Sequence, residues 1–211
     1  MIVAGGFEAA AFRADITKAA EAKALVEAGV ERFGGLDVLV NNVGIGGGGD
    51  GPAHRLEEAA FDRIVAVNLK GMWLTLKAAI PVMRETGGSI VNISSLASVA
   101  GATQLAYEVT KAGVNRMTTH VASGNARSGL RCNAIIMGFL DTPMAVEGIA
   151  RASGRSREEV RSMRDAQVPL KGKMGTAWDT ANAALFLASD EAAFITGVVL
   201  PLDGGMMTRM G

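Results

Sequence analysis

Short runs of almost unbroken aliphatic residues alternate along this chain with longer stretches of helical character, and that alternation leaves few folds open. Leu36–Val40 (LDVLV) is apolar at nearly every position, as a strand buried on both faces requires. Gly88–Ser95 (GSIVNISS), Leu130–Ile136 (LRCNAII) and Val198–Leu202 read as further strands, and Ala9–Ala14 as a short early one. Helical patterns fill the intervals. One spans Lys18–Phe33, with Thr17 placed to cap it and Gly34-Gly35 to stop it. Others run from about Glu57 to Glu85, from about Gln104 to Arg127, from about Arg157 to Ala166, and from Asp179 to Ala188. Met137–Arg157 reads as irregular with a short helix after Pro143, and Met1–Gly6 as the tail of a helix ending at Gly5-Gly6. The alternation predicts βαβ units: a mainly parallel, doubly wound α/β sheet with helices on both faces. One such domain accounts for all 211 residues, since no linker, repeat or low-complexity tract divides them.

Ligands of parallel sheets bind outside the carboxyl ends of the strands. Asp15, Asn41–Gly44, Ser94, Ser95 and Met137–Thr142 all fall just after predicted strands and converge on that rim. Tyr107 and Lys111 lie four apart near the start of a predicted helix, hence on one face and within reach of the same rim. An ammonium held there favours the ionised phenol. The pair alone admits two readings: an acid/base facing a cleft, or a half-buried tyrosine beside a solvated lysine. Asp15 and Asn41 read equally well as capping and turn residues.

Composition removes several function classes. Lys plus Arg equals Asp plus Glu, 21 each, and no basic stripe is visible, so nucleic acid is not an expected partner. A single cysteine, Cys132, can form no internal disulfide and fits a reducing, cytoplasmic setting. No signal peptide and no membrane-spanning run is visible. Two distant histidines and one cysteine make no zinc or iron–sulfur site: His54 reads as a loop residue and His120 as a helix-packing or surface residue. Gly44–Gly49 matches G-x-G-x-x-G after a strand. That fingerprint needs a helix opening directly on the loop and an acidic residue about 20 positions on. Here Pro52 and further loop intervene, so the run is not read as a dinucleotide cradle.

Seven segments share an order and spacing from about Ala9 to Gly205. They are DIT at Asp15, NNVG at Asn41, VNLKG around Asn68, GSIVNISS with Ser95, YEVTK from Tyr107, RCNAIIMGFLDT, and TGVVLPLDGG. In these the chain resembles the classical short-chain dehydrogenase/reductase family. The resemblance implies a Rossmann-like domain and hydride transfer between NAD or NADP and the alcohol/ketone pair of a small molecule, in a homodimer or homotetramer. It implies that Tyr107 is the acid/base, that Lys111 lowers its pKa and holds the nicotinamide ribose, and that Ser95 hydrogen-bonds the substrate oxygen. Asn68 would anchor a water relaying protons to Lys111. On the cofactor side it implies Asp15 and Ile16 at the adenine, Asn42, Val43 and Gly44 beside the adenosine ribose, and Gly138, Leu140 and Thr142 at the nicotinamide. Val43 stands where the family usually has Ala, and Met137 where it has Pro. The substrate loop would span about Asp141–Leu170, whose arginines read either as solvated surface charges or as contacts for an anionic substrate.

The family's own glycine-rich turn, with the first strand, first helix and second strand, has no counterpart here. A βαβ unit of roughly 30 residues or more is therefore expected to be missing, leaving an N-terminally truncated sheet with one bare edge. The residue that selects NAD or NADP would lie in it. Two explanations stand side by side: a start at the wrong methionine, or a shortened member that binds dinucleotide poorly. The second leaves room for a non-catalytic remnant acting as an oligomeric or weak nucleotide-binding protein.

Overall fold

A computed structural model describes residues 5–101 and 103–209. Four parallel strands form its centre: β1 (Val38–Asn41), β2 (Gly88–Ser95), β3 (Leu130–Met137) and β6 (Val199–Leu202), in the spatial order β1-β2-β3-β6. The first three aliphatic runs are therefore adjacent, and β2, flanked on both sides, is buried almost throughout. Side-chain alternation on β2 separates two cores. Ile90 packs with Cys132 against α1 (Ala19–Phe33), α3 (Met72–Thr86) and α4 (Leu105–Asn125), through Val26, Met83, Val114 and Val121. Val91 and Ile93 pack with Ile135 against Leu187 of α7 (Ala177–Ala188) on the other face. Between β3 and α7, β4 (Leu140–Asp141), α5 (Pro143–Ser153), α6 (Arg157–Asp165) and β5 (Gly175–Thr176) form a lobe over the carboxyl ends, with β4 and β5 paired in parallel.

Several local expectations are corrected. Ala9–Ala14 forms no strand, because a strand exists only in a ladder and nothing among the described residues pairs with this segment. Of the expected Met1–Gly6 helix tail, Met1–Ala4 lie outside the described residues. Thr17 does not cap α1, because Asp15 Oδ1 engages both its amide (3.0 Å) and its hydroxyl (2.7 Å), and Lys18 takes the cap position. The long helix expected over Glu57–Glu85 is α2 (Glu58–Val65) running through a π-helical widening at Ala66–Gly71 into α3. Met137–Arg157 is more regular than expected: Thr142 Oγ1 accepts from the Ala145 amide and Pro143 sits in the first turn, so α5 has three turns. Asp179 does not begin α7. Its carboxylate accepts from the Thr176 amide (2.6 Å) and hydroxyl (2.8 Å), which starts the helix two residues earlier.

Among the described residues β1 has a neighbour on one side only, and Val38 and Val40 are 42% and 47% exposed. A buried polar chain runs behind it: Thr75 donates to Asn41, Asn41 to Asn92, and Asn92 to Thr118. Asn41 thus has the structural occupation open to it in the sequence. No described helix is long and apolar enough to cross a membrane. Gly138 joins the ends of β3 and β6: a Cβ there would lie 2.6 Å from the Asp203 Cα. Gly138→Ala is expected to force the two strand ends apart and lower stability by about 1–3 kcal/mol in urea titration.

Candidate active site

A cavity of about 880 Å³ opens at the carboxyl ends of β1, β2 and β3, between the first turns of α4 and α7. Ser95, Tyr107, Lys111, Gly44 and Thr142 all line it. A second hollow of about 680 Å³ lies at the amino ends of the strands, against Asp37, Ser89 and Arg131. Parallel sheets do not bind ligands at that end, and none of the residues singled out in the sequence faces it.

Helix α4 presents Tyr107 and Lys111 one turn apart. Lys111 is 3% exposed, donates from Nζ to the Ile93 carbonyl at 2.8 Å, and lies 5.7 Å from the centre of the Tyr107 ring. The reading of a solvated lysine is thereby excluded. Strand alternation separates the two serines: Ser94 is buried under α4, donating to the Lys111 carbonyl, whereas Ser95 lines the cavity. Asn68 sits in the π-helical widening, fully buried. Its Oδ1 accepts from the Ile45 amide and its Nδ2 donates to the Ile45 carbonyl, both at 2.8 Å. The widened turn aims the amide at that backbone, the kind of use for which a π-bulge is kept.

The glycine run is a wall of this site. A Cβ on Gly44 would stand 3.4 Å from Lys111 Nζ and 3.5 Å from Asn68 Oδ1, and one on Gly46 would stand 3.4 Å from the Tyr107 ring. Gly47, Gly48 and Gly49 all have positive φ, so they turn the chain sharply instead of opening a helix. The turn delivers Asp50, which the sequence reading missed. Its Oδ1 accepts from the Ala106 amide (3.0 Å) and its Oδ2 from the Tyr107 amide (2.9 Å). A carboxylate thus caps the helix that carries Tyr107 from 56 residues away, where no spacing rule could have found it.

Burial governs the electrostatics. Desolvation holds the Tyr107 phenol above its ordinary value, with the Ser95 hydroxyl pulling it back. Desolvation also lowers Lys111 to about 8. In the ligand-free cleft burial pushes each group towards its neutral form. Cys132, buried beside Asn92, is pushed up to about 12 and is no nucleophile.

The wall fits one end of a dinucleotide. Gly44 leaves open the space above Lys111 that a Cβ would fill, and Asn42, Gly138, Leu140 and Thr142 line the same cavity. The residues expected at the adenine end are not brought in. Asp15 is exposed and bonded to Thr17 and Lys18, Ile16 packs on Gly71, and Val43 is 55% exposed; none of the three lines the cavity.

Two outcomes follow from this geometry. Asp50→Ala is expected to cost about 1 kcal/mol of stability through the lost cap, and Asp50→Asn less, both read by urea titration. The unfolded Lys111 titrates at 10.5 and the folded one near 8, so above pH 8 the unfolded chain holds a proton the folded chain has lost. Stability should therefore rise with pH between 8 and 9, by up to about 1.4 kcal/mol per unit, and Lys111→Met should flatten that rise.

Comparison with known proteins shows the family. The family profile described as enoyl-(acyl carrier protein) reductase matches residues 2–207. The chain is 39% identical to 2-(R)-hydroxypropyl-CoM dehydrogenase of Xanthobacter autotrophicus, over 91% of its own length and 75% of the relative's. It superimposes with a TM-score of 0.92 and 40% identity on a short-chain dehydrogenase/reductase from Burkholderia xenovorans, covering 99% of this chain and 79% of that one. ElxO, solved with NADP bound, matches with a TM-score of 0.85 and 30% identity, over 94% of this chain and 78% of ElxO. The chain belongs to the short-chain dehydrogenase/reductase family, NAD- or NADP-dependent oxidoreductases of small molecules.

Proposed function

We propose that this protein interconverts a secondary alcohol and a ketone, with Tyr107 as the acid/base. The observation that carries the reading is the opening of Ser95, Tyr107 and Lys111 into one cavity, with Asn68 buried behind the Gly44–Gly46 wall. The nicotinamide cofactor supplies the hydride or accepts it. The chain's own residues handle the proton and the oxygen. Ser95 donates to the substrate oxygen and holds it near the phenol. Tyr107, kept protonated by burial at neutral pH, is in the right state to donate to a carbonyl oxygen as it gains negative charge. Lys111, cationic below about pH 8 and fixed by the Ile93 carbonyl, stabilises the phenolate left behind and would hold a ribose hydroxyl of the cofactor. Asn68 acts through position: by holding both polar groups of Ile45 it keeps the loop carrying Gly44 and Gly46 against α4.

On this reading Gly138, Leu140 and Thr142 face the nicotinamide of NAD or NADP, Asn42, Val43 and Gly44 the adenosine ribose, and Asp15 and Ile16 the adenine beyond the cavity. A homodimer or homotetramer is supported by large apolar side chains exposed on and after α7: Trp178 (73%), Leu185 (69%) and Phe194 (104%). A second reading, a weakly binding form of the fold, is favoured by the one-sided β1 among the described residues and by the absence of Asp15 and Ile16 from the cavity wall.

The two readings separate in one experiment. NADH and NADPH are titrated into the protein by fluorescence, and their oxidation is followed over a panel of small ketones. The proposal expects saturable binding and turnover that falls about 10²–10⁴-fold in Tyr107→Phe with the urea midpoint kept. Turnover close to wild type in Tyr107→Phe would overturn Tyr107 as acid/base. Absence of both binding and turnover would favour the second reading.

A further inference from the structure

Arg164, in the last turn of α6, lines the same cavity as Ser95, Tyr107 and Lys111. Two other arginines of α6 have carboxylate partners. Arg157 meets Glu147 at 3.2 Å, and Arg161 meets Asp141 at 3.0 Å and Glu158 at 3.6 Å. Among the described residues no carboxylate lies within 4.0 Å of Arg164. Its guanidinium is nonetheless held. The Cζ stands 3.9 Å from the centre of the Phe139 ring, and Nε donates to the Met174 sulfur at 3.3 Å. Such stacking fixes the plane of the fork and leaves its two terminal nitrogens to other acceptors.

The cavity wall adds a second, independent observation. Its charged residues are Lys111 and Arg164, both cationic, and no Asp or Glu is present among the residues lining it. Burial lowers the Arg164 pKa, and the Asp141 carboxylate, which is bonded to Arg161, offsets that only in part. Lys111 gives one donor to the Ile93 carbonyl and lies beside the Tyr107 ring. On the lobe side of the cavity the cation is Arg164.

Resting on the reading of the site as an alcohol/ketone oxidoreductase, we propose that Arg164 recognises an oxyanion on the substrate, so that the preferred substrates are keto acids or hydroxy acids of the carboxylate, sulfonate or phosphonate type. The planar fork offers a bidentate contact while Phe139 holds it, and the carbonyl reaches Ser95 and Tyr107. Charge-assisted hydrogen bonds of this kind favour the anion over a neutral isostere by about tenfold or more.

The test uses unbranched keto acids with one to four carbons between carbonyl and carboxylate, each paired with its methyl ester, and the matching keto sulfonates. Turnover with NADH and NADPH is measured together with cofactor-free binding by ligand-observed NMR. At the best chain length the acid should exceed its ester at least tenfold, in kcat/KM and in affinity. Arg164→Gln should bring that ratio near one, Arg164→Lys should restore part of it, and Arg161→Gln should leave it intact. Whether carboxylate or sulfonate is favoured identifies the oxyanion. A ratio near one in the wild type, or a ratio that survives Arg164→Gln, overturns the inference. So does a selective loss of NADH or NADPH affinity in Arg164→Gln with the acid-to-ester ratio unchanged, which would assign the guanidinium to the cofactor. If no ketone turns over, the oxidoreductase reading fails by itself and the binding ratio alone decides the role of Arg164.

Discussion

One buried ammonium ties the site to the sheet. Lys111 is almost fully removed from water, and its contact with the Ile93 carbonyl joins α4 to the carboxyl end of β2. A lysine in that position costs free energy unless its surroundings compensate, and its depressed pKa records that cost. The surroundings are specific: Gly44 leaves the space above the ammonium open, Asn68 pins the loop that carries Gly44, and Asp50 at the end of that loop holds the amides of Ala106 and Tyr107. Loop, widened helix and α4 form one unit around a single charge. A change in any of them reaches Tyr107.

Desolvation also fixes the resting chemistry. Tyr107 and Lys111 share a cleft in which water screens neither, so the phenol is held protonated and the ammonium is made more acidic. At neutral pH the resting pair is phenol and ammonium, a proton donor with a cation behind it. That arrangement suits reduction of a carbonyl without prior ionisation of the tyrosine.

Much of the fold was legible because it depends on local periodicity. The aliphatic runs at Leu36–Val40, Gly88–Ser95 and Leu130–Ile136 form adjacent central strands, and Tyr107 and Lys111 share a helix face as their spacing requires. Failures came where a distant partner decides. Ala9–Ala14 has strand composition but no ladder, and nothing in its own residues reports that. The π-helical widening at Asn68 answers to Ile45, 23 residues earlier. Asp50 lay hidden in a glycine run that looks like flexible loop. The arginines of the lobe looked alike in sequence, and only the cavity wall and the stacking on Phe139 set Arg164 apart. Burial of the phenol was not legible either: charge proximity can be read from i to i+4, whereas desolvation depends on everything packed around the pair.

Tyr107 is the sole tyrosine in the chain, so its ionisation can be followed without ambiguity. The most direct test of the account is a pH titration of the ligand-free protein labelled with ¹³Cζ-tyrosine, read by NMR. A buried acid opening into the cavity predicts a single transition above pH 10, the ordinary phenol value. A midpoint at or below neutrality would contradict it, because the phenol would then rest ionised and the balance between burial and Lys111 would be the reverse of the one described.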